Sequence, residues 1–98
     1  MTIKQKKEGE KLTVFIDGSI DTNTAPVLMD YLEKEMLPIT ELVLDFQKVD
    51  YISSAGLRVL LYAQRTMNIQ GKMTLVNVSE EVMEIFELTN FTNVVTVA

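Results

Sequence analysis

The sequence predicts an α/β fold: a single domain built on a mixed, mostly parallel sheet with an antiparallel hairpin at its N-terminal edge. Three observations carry this expectation. Short segments rich in β-branched and aromatic residues alternate with longer segments whose apolar residues recur at helical spacing. That alternation implies right-handed crossovers between parallel strands. The chain has 98 residues, the size of one domain, and a domain of this size buries about two-thirds of its unfolded surface. The predicted element order is β-β-α-β-α-β-α-β over residues 1–98.

The first strong strand signal is Lys11-Leu12-Thr13-Val14-Phe15-Ile16-Asp17, ending at Gly18. The polar segment 2–7 is its expected hairpin partner, with Gly9 in the turn. Residues 18–24 (Gly-Ser-Ile-Asp-Thr-Asn-Thr) hold several good helix N-caps, so the start of the next helix is open. Beyond them Ala25, Leu28, Met29, Leu32 and Met36 form one apolar helical face. Pro26 is tolerated in the first turn, and Pro38 closes the helix. Glu41–Phe46 is the third strand; its unbroken Leu42-Val43-Leu44 run predicts cover on both faces. Residues 54–68 return to helical spacing through Leu57, Leu60, Leu61 and Ala63. After Gly71, Lys72–Asn77 reads as a strand. Ser79 caps a third helix whose face carries Val82, Ile85, Phe86 and Thr89. Residues 93–97 (Asn-Val-Val-Thr-Val) predict a last strand.

Composition removes several chemistries. Hydrophobic residues make up 47% and charged residues 23%, the balance of a globular chain rather than a disordered one. There is no cysteine, histidine or tryptophan. That excludes a thiolate nucleophile, an imidazole base and a Cys/His metal site. No apolar core follows the N-terminal lysines and no run reaches spanning length, so a soluble cytoplasmic protein without a membrane partner is expected. A net charge of −5, with no basic patch among aromatics, argues against nucleic acid. No cofactor is implied.

In a largely parallel sheet, functional groups gather beyond the carboxyl ends of the strands. The loops to inspect are therefore 18–24, 46–54 and 77–80. In the second, Tyr51 and Ile52 lead into Ser53-Ser54-Ala55-Gly56-Leu57-Arg58 and a strong helix. Either Ser53 or Ser54 caps that helix by accepting from its orphan N–H groups. The same helix start favours an anion. Ala55 and Gly56 leave room for a partner's backbone or a kinase active site to approach, or serve only close packing. Arg58, one turn on, suits a phosphate, a partner carboxylate or plain solvent. Tyr62, Met67, Met83, Phe86 and Phe91 read as a recognition surface or as core. Glu80, Glu81, Glu84 and Glu87 read as a solvated helix face. Asp45 either shapes its loop or caps a turn.

The segment Val49-Asp50-Tyr51-Ile52-Ser53-Ser54-Ala55-Gly56-Leu57-Arg58-Val59-Leu60 resembles the signature of the STAS domain, specifically the bacterial anti-sigma factor antagonists. Their usual motif is an apolar pair followed by Asp-Ser-Ser/Thr-Gly-Leu. Ser53 stands at the usual Asp, Ser54 at the phosphorylated serine and Ala55 at the Ser/Thr, followed by Gly56 and Leu57. Gly18–Thr24 resembles the Gly-x-Leu/Ile-Asp-x-x-Thr segment of the same family. Asp21 is carried over from it as a neighbour of Ser54; on its own residues it reads equally as a cap or turn.

The resemblance covers the whole chain and implies a STAS-like fold and a partner switch. The unphosphorylated protein would bind an anti-sigma factor serine kinase and be released when Ser54 is phosphorylated. A metal-dependent serine phosphatase would reset it. The expected contact residues are Asp21, Thr22, Asn23, Ile52, Ser53, Ser54, Ala55, Gly56, Leu57 and Arg58. The alternative is a constitutive STAS interaction subunit of a transporter or lipid-trafficking complex, with Ser54 structural. A hydrolase using Ser54 is the weakest alternative: no histidine is available and Ser54 lies in no Gly-x-Ser-x-Gly elbow.

Overall fold

Gly9 adopts φ 61°, a left-handed conformation that costs glycine little. It turns β1 (Thr2–Glu8) back on β2 (Lys11–Asp17), pairing Glu8 with Lys11 in the antiparallel hairpin the sequence predicts. The computed structural model describes residues Met1–Ala98. After the hairpin come α1 (Ala25–Glu35), β3 (Glu41–Lys48), α2 (Ser54–Gln70), β4 (Lys72–Val76) and α3 (Glu80–Leu88). The sheet order is β1-β2-β3-β4, with β2, β3 and β4 parallel. Lysines at 4, 6 and 7 lie on the free edge strand β1, where they discourage pairing with another chain.

The parallel strands advance in one direction without reversal. Two right-handed crossovers taken in the same direction place their helices on the same face of the sheet. Burial agrees with that rule. Leu12, Val14, Ile16, Leu42, Leu44, Phe46, Met73 and Leu75 are buried, while Thr13, Phe15, Val43, Asp45, Thr74 and Val76 are exposed or half-buried. The expectation that β3 is covered on both faces is therefore corrected. Val43 lies on the open face, beside Thr13 and Thr74 in register, so an apolar run does not by itself report double cover.

The final strand is corrected too. Phe91–Asn93 forms a 3-10 turn, and the last residues of the chain make only one parallel bridge, Leu75 with Val97. Phe91 and Val95 are both buried while Val94 is 37% exposed. Thr92, Asn93 and Val94 between them are all exposed, which suits a helical turn, whereas a strand would place Asn93 on the same face as Phe91 and Val95. Phe86 stands between Phe46 and Phe91, with ring centroids 6.5 and 5.7 Å away, so α3 and the terminal turn close the core over β3. No helix is long and apolar enough to cross a membrane.

A one-faced core makes substitution costs sharply asymmetric across the sheet. Phe46→Ala should lower unfolding free energy by about 3–5 kcal/mol. Phe15→Thr, on the open face, should cost less than about 1 kcal/mol. Urea unfolding of both variants measures the contrast.

Candidate functional site

Two loops at the carboxyl ends of β2 and β3 are joined by backbone hydrogen bonds. The N–H of Gly18 donates to Lys48 O at 3.0 Å, that of Ile20 to Tyr51 O at 2.9 Å and that of Ser53 to Ile20 O at 2.8 Å. Ile20 and Ile52 thus form a parallel bridge beyond the end of the β2–β3 ladder. The Ser19 hydroxyl adds a bond to the Asp50 carboxylate, at 2.9 Å. Ile20 and Ile52 are both buried beneath the loops.

Helix α2 starts directly on this bridge, and Gly56 permits the contact. A Cβ at Gly56 would lie 2.6 Å from Ile52 Cγ1, 2.8 Å from Ile20 Cγ2 and 2.9 Å from Ile20 O. Only a residue without a side chain fits. Gly56 and Ile52 therefore shape the site from below and present no side chain to a partner.

Of the two serines, Ser53 is the cap. Its backbone is extended (φ −94°, ψ 176°) and its Oγ accepts from the Gly56 N–H at 3.4 Å. Its carbonyl accepts the first helical bond, from Leu57 at 2.9 Å. Ser54 is the first residue of α2, is exposed, and its hydroxyl makes no hydrogen bond within the protein. The orphan N–H groups of this first turn give it a positive electrostatic setting. Ala55 and Leu57 are half-buried, and Arg58 is exposed one turn along.

Asp21 is engaged within its own turn. Its carboxylate accepts from the backbone N–H groups of Asn23 (2.9 Å) and Thr24 (3.0 Å). The Thr24 N–H first, then that of Asn23, holds the Asp21 carboxyl below its usual range. The Thr24 hydroxyl lies 2.7 Å from Ser19 O and accepts from Asp21 N–H at 2.8 Å. Asp21 and Thr24 thus fold the loop that carries Ile20 to Ile52, and Thr22 and Asn23 are exposed on its outside.

Thr22 and Arg58, far apart in sequence and in different elements, meet across a shallow groove of about 220 Å³ between α1 and α2. Ala25, Pro26, Met29, Ala55 and Val59 complete its lining. Sequence reasoning missed this groove, although the 22/25/26/29 and 55/58/59 spacings each mark one helical face. It also missed the Ser19–Asp50 bond, which no local pattern signals. A larger hollow of about 380 Å³ opens on the uncovered sheet face and is lined by none of the expected contact residues. Its acids are already engaged: Asp17 with Lys48 at 4.0 Å, and Asp45 with the Gln47 N–H and the Asn77 amide at 2.9 and 3.1 Å. Of the aromatic and methionine residues singled out, Met67, Phe86 and Phe91 are core.

The STAS domain family model matches residues 2–98. Among curated proteins, the candidate anti-sigma factor antagonist BtrV of Bordetella bronchiseptica is 46% identical over 57 residues. That match spans 57% of this chain and 49% of BtrV, about half of that relative's length. The anti-sigma-B factor antagonist of Listeria monocytogenes is 26% identical over 96 residues, covering 93% of this chain and 82% of that protein. A candidate anti-sigma factor antagonist from Thermotoga maritima has the same fold, with a TM-score of 0.89 at 18% identity over 97% of this chain and 84% of that one. Bacillus SpoIIAA in its phosphorylated form superposes with a TM-score of 0.75 at 15% identity, over 99% of this chain and 91% of SpoIIAA. At such identities the structural likeness speaks for the fold.

Three substitutions separate the roles at this site, all read by thermal and urea unfolding. Ser53→Ala should destabilise by about 0.5–2 kcal/mol through the lost cap, while Ser54→Ala should be close to neutral. Gly56→Ala should cost about 1–3 kcal/mol, because overpacking against the bridge outweighs any gain in helix propensity.

The depressed Asp21 carboxyl stabilises the fold above its ordinary value of 3.8, and that contribution is lost as pH falls through the lowered one. Asp21→Ala should therefore melt below wild type at neutral pH, with the gap narrowing in acid.

Proposed function

The chain belongs to the STAS domain family, and we propose that it is an anti-sigma factor antagonist of the partner-switching kind. In its unmodified form it binds an anti-sigma factor serine kinase in the cytoplasm. The kinase transfers the γ-phosphoryl group of ATP to the Ser54 oxygen, the hydroxyl proton is lost and ADP departs. The complex then separates. A metal-dependent serine phosphatase hydrolyses the ester and restores the hydroxyl. ATP and metal ions belong to the partners, and the chain itself acts by binding.

One observation carries this reading: the two adjacent serines have divided their work. Ser53 takes the cap, which leaves the Ser54 hydroxyl exposed and unbonded at the head of a fixed helix. The names of the curated relatives point the same way, as does the existence of SpoIIAA in a phosphorylated form. Ser53 in place of the usual Asp fits as well, since both side chains cap helices.

Release stems from charge. A phosphoserine adds about −1.5 to −2 charges at neutral pH. At the interface that charge must be desolvated, and the complementarity built for a hydroxyl is lost. On the free domain the same group sits at a helix N-terminus, where an anion is stabilised by about 0.3–1 kcal/mol. The switch therefore weakens the complex without unfolding the domain.

Intact-mass spectrometry with fragment mapping, after incubation with ATP and the candidate kinase, tests the proposal. One phosphate is expected on wild type and on Ser53→Ala, and none on Ser54→Ala. Ser54→Asp should weaken kinase binding by roughly tenfold or more, while Ser54→Ala still binds. A kinase active on a control substrate that leaves Ser54 unmodified, or modifies another residue, would overturn the assignment.

A further inference from the structure

Both arginines of the chain lie in α2, at positions 58 and 65. No acidic residue occurs between Asp50 and Glu80, so α2 nets +2 on a protein whose overall charge is −5. Neither arginine takes part in any of the protein's salt bridges. At 100° per residue, Ser54, Arg58, Tyr62, Arg65 and Ile69 fall within an arc of about 80°. All five are exposed, Tyr62 by 37% and Ile69 by 90%. Opposite them Gly56, Val59, Leu60, Ala63, Gln64 and Met67 bury the other side of the helix. The stripe is about 22 Å long. Arginine and tyrosine are, with tryptophan, the residue types enriched among those that dominate protein interfaces.

The geometry points to this stripe, Arg58–Tyr62–Arg65–Ile69, as a docking surface for an acidic, partly apolar face of a partner protein, with Ser54 at its head as the charge control. This rests on the proposed partner switch and gives that partner a chemistry. Charge complementarity selects the occupant: a helix face of +2 attracts an acidic surface, while the net charge of −5 that each copy carries opposes association of the chain with itself. Arg58 stands four residues after Ser54, the spacing at which helical side chains meet. A phosphate on Ser54 pairs with Arg58 and brings the stripe from +2 to near zero, since it adds about two negative charges. Phosphorylation then removes the attraction as well as obstructing the contact.

The test is a titration of the intact chain, 15N-labelled, with the purified candidate anti-sigma factor kinase without ATP, at low and high salt. Arg65 is decisive, because it lies about 16 Å along the helix from Ser54. Arg65→Glu should weaken kinase binding by about tenfold or more, and salt should weaken wild type more than the variant; in a parallel assay with ATP, the variant should raise KM for phosphorylation with kcat retained. Ile69→Ser should weaken binding without changing its salt dependence. Unchanged melting temperatures will show that the exposed variants fold.

Kinase binding that Arg65→Glu leaves intact overturns the stripe and spares the switch. If the kinase does not bind wild type, an acidic amphipathic peptide becomes the probe. Amide shifts along residues 58–69, abolished by Arg65→Glu, then uphold the stripe while the kinase reading fails. Their absence overturns both.

Discussion

The contact between Gly56 and the Ile20–Ile52 bridge is the constraint on which the rest of the site depends. It brings the first turn of α2 within backbone distance of two loops that are themselves joined by backbone hydrogen bonds. Ile20 and Ile52 are fully buried there, so the bridge is an extension of the core and not a surface turn. That contact dictates the remaining geometry. Ser53 is held extended by its bond to Ile20 O, which makes it the cap. The next residue, Ser54, must then open the helix and face outward.

The far end of α2 is tied down as firmly. The Gln70 amide donates to Met36 O and Ile39 O at 2.7 and 2.6 Å, and Gly71 lies against the Thr40 backbone so closely that a Cβ there would fall 1.8 Å from Thr40 O. The helix is therefore fixed at both ends to the loops that flank α1. A helix held in this way presents its outer side chains from a rigid base. Ordering them on binding costs less than ordering residues on a mobile loop. The parallel order of β2, β3 and β4 has a similar effect: it brings the strand ends and the helix starts to one edge of the molecule.

Most of the fold was legible because its signals are local. The strand–helix alternation, the Gly9 turn, the Pro38 stop and the cap at Ser79 each depend on neighbouring residues, and each appears where the pattern puts it. The terminal strand was misread because Val94, Val95 and Val97 favour strands, whereas Phe91 and Val95 are drawn together into the core. Burial overrode propensity there. Val43 misled in a related way, since an exposed sheet face still tolerates an apolar side chain. At the site, the motif located the serines but could not say which one caps. That depends on Ile20, more than thirty residues earlier. The groove joining Thr22 to Arg58 is likewise long-range.

The division of work between Ser53 and Ser54 explains how the proposed switch could operate on a small domain without a second conformation. If one serine both capped the helix and carried phosphate, modification would disturb the cap and trade stability for signal. With the two separated, a phosphate on Ser54 leaves the Ser53–Gly56 bond and the Ile20–Ile52 bridge in place. A ligand or modification shifts an equilibrium only by its differential interaction with the two states. In the proposed switch those states are bound and free, and the fold would be common to both. The free energy of the added charge would then be expressed mainly at the interface, where desolvation and repulsion make it largest. Rigidity in the α2 start is thus what would make a single phosphoryl group sufficient in the proposed switch.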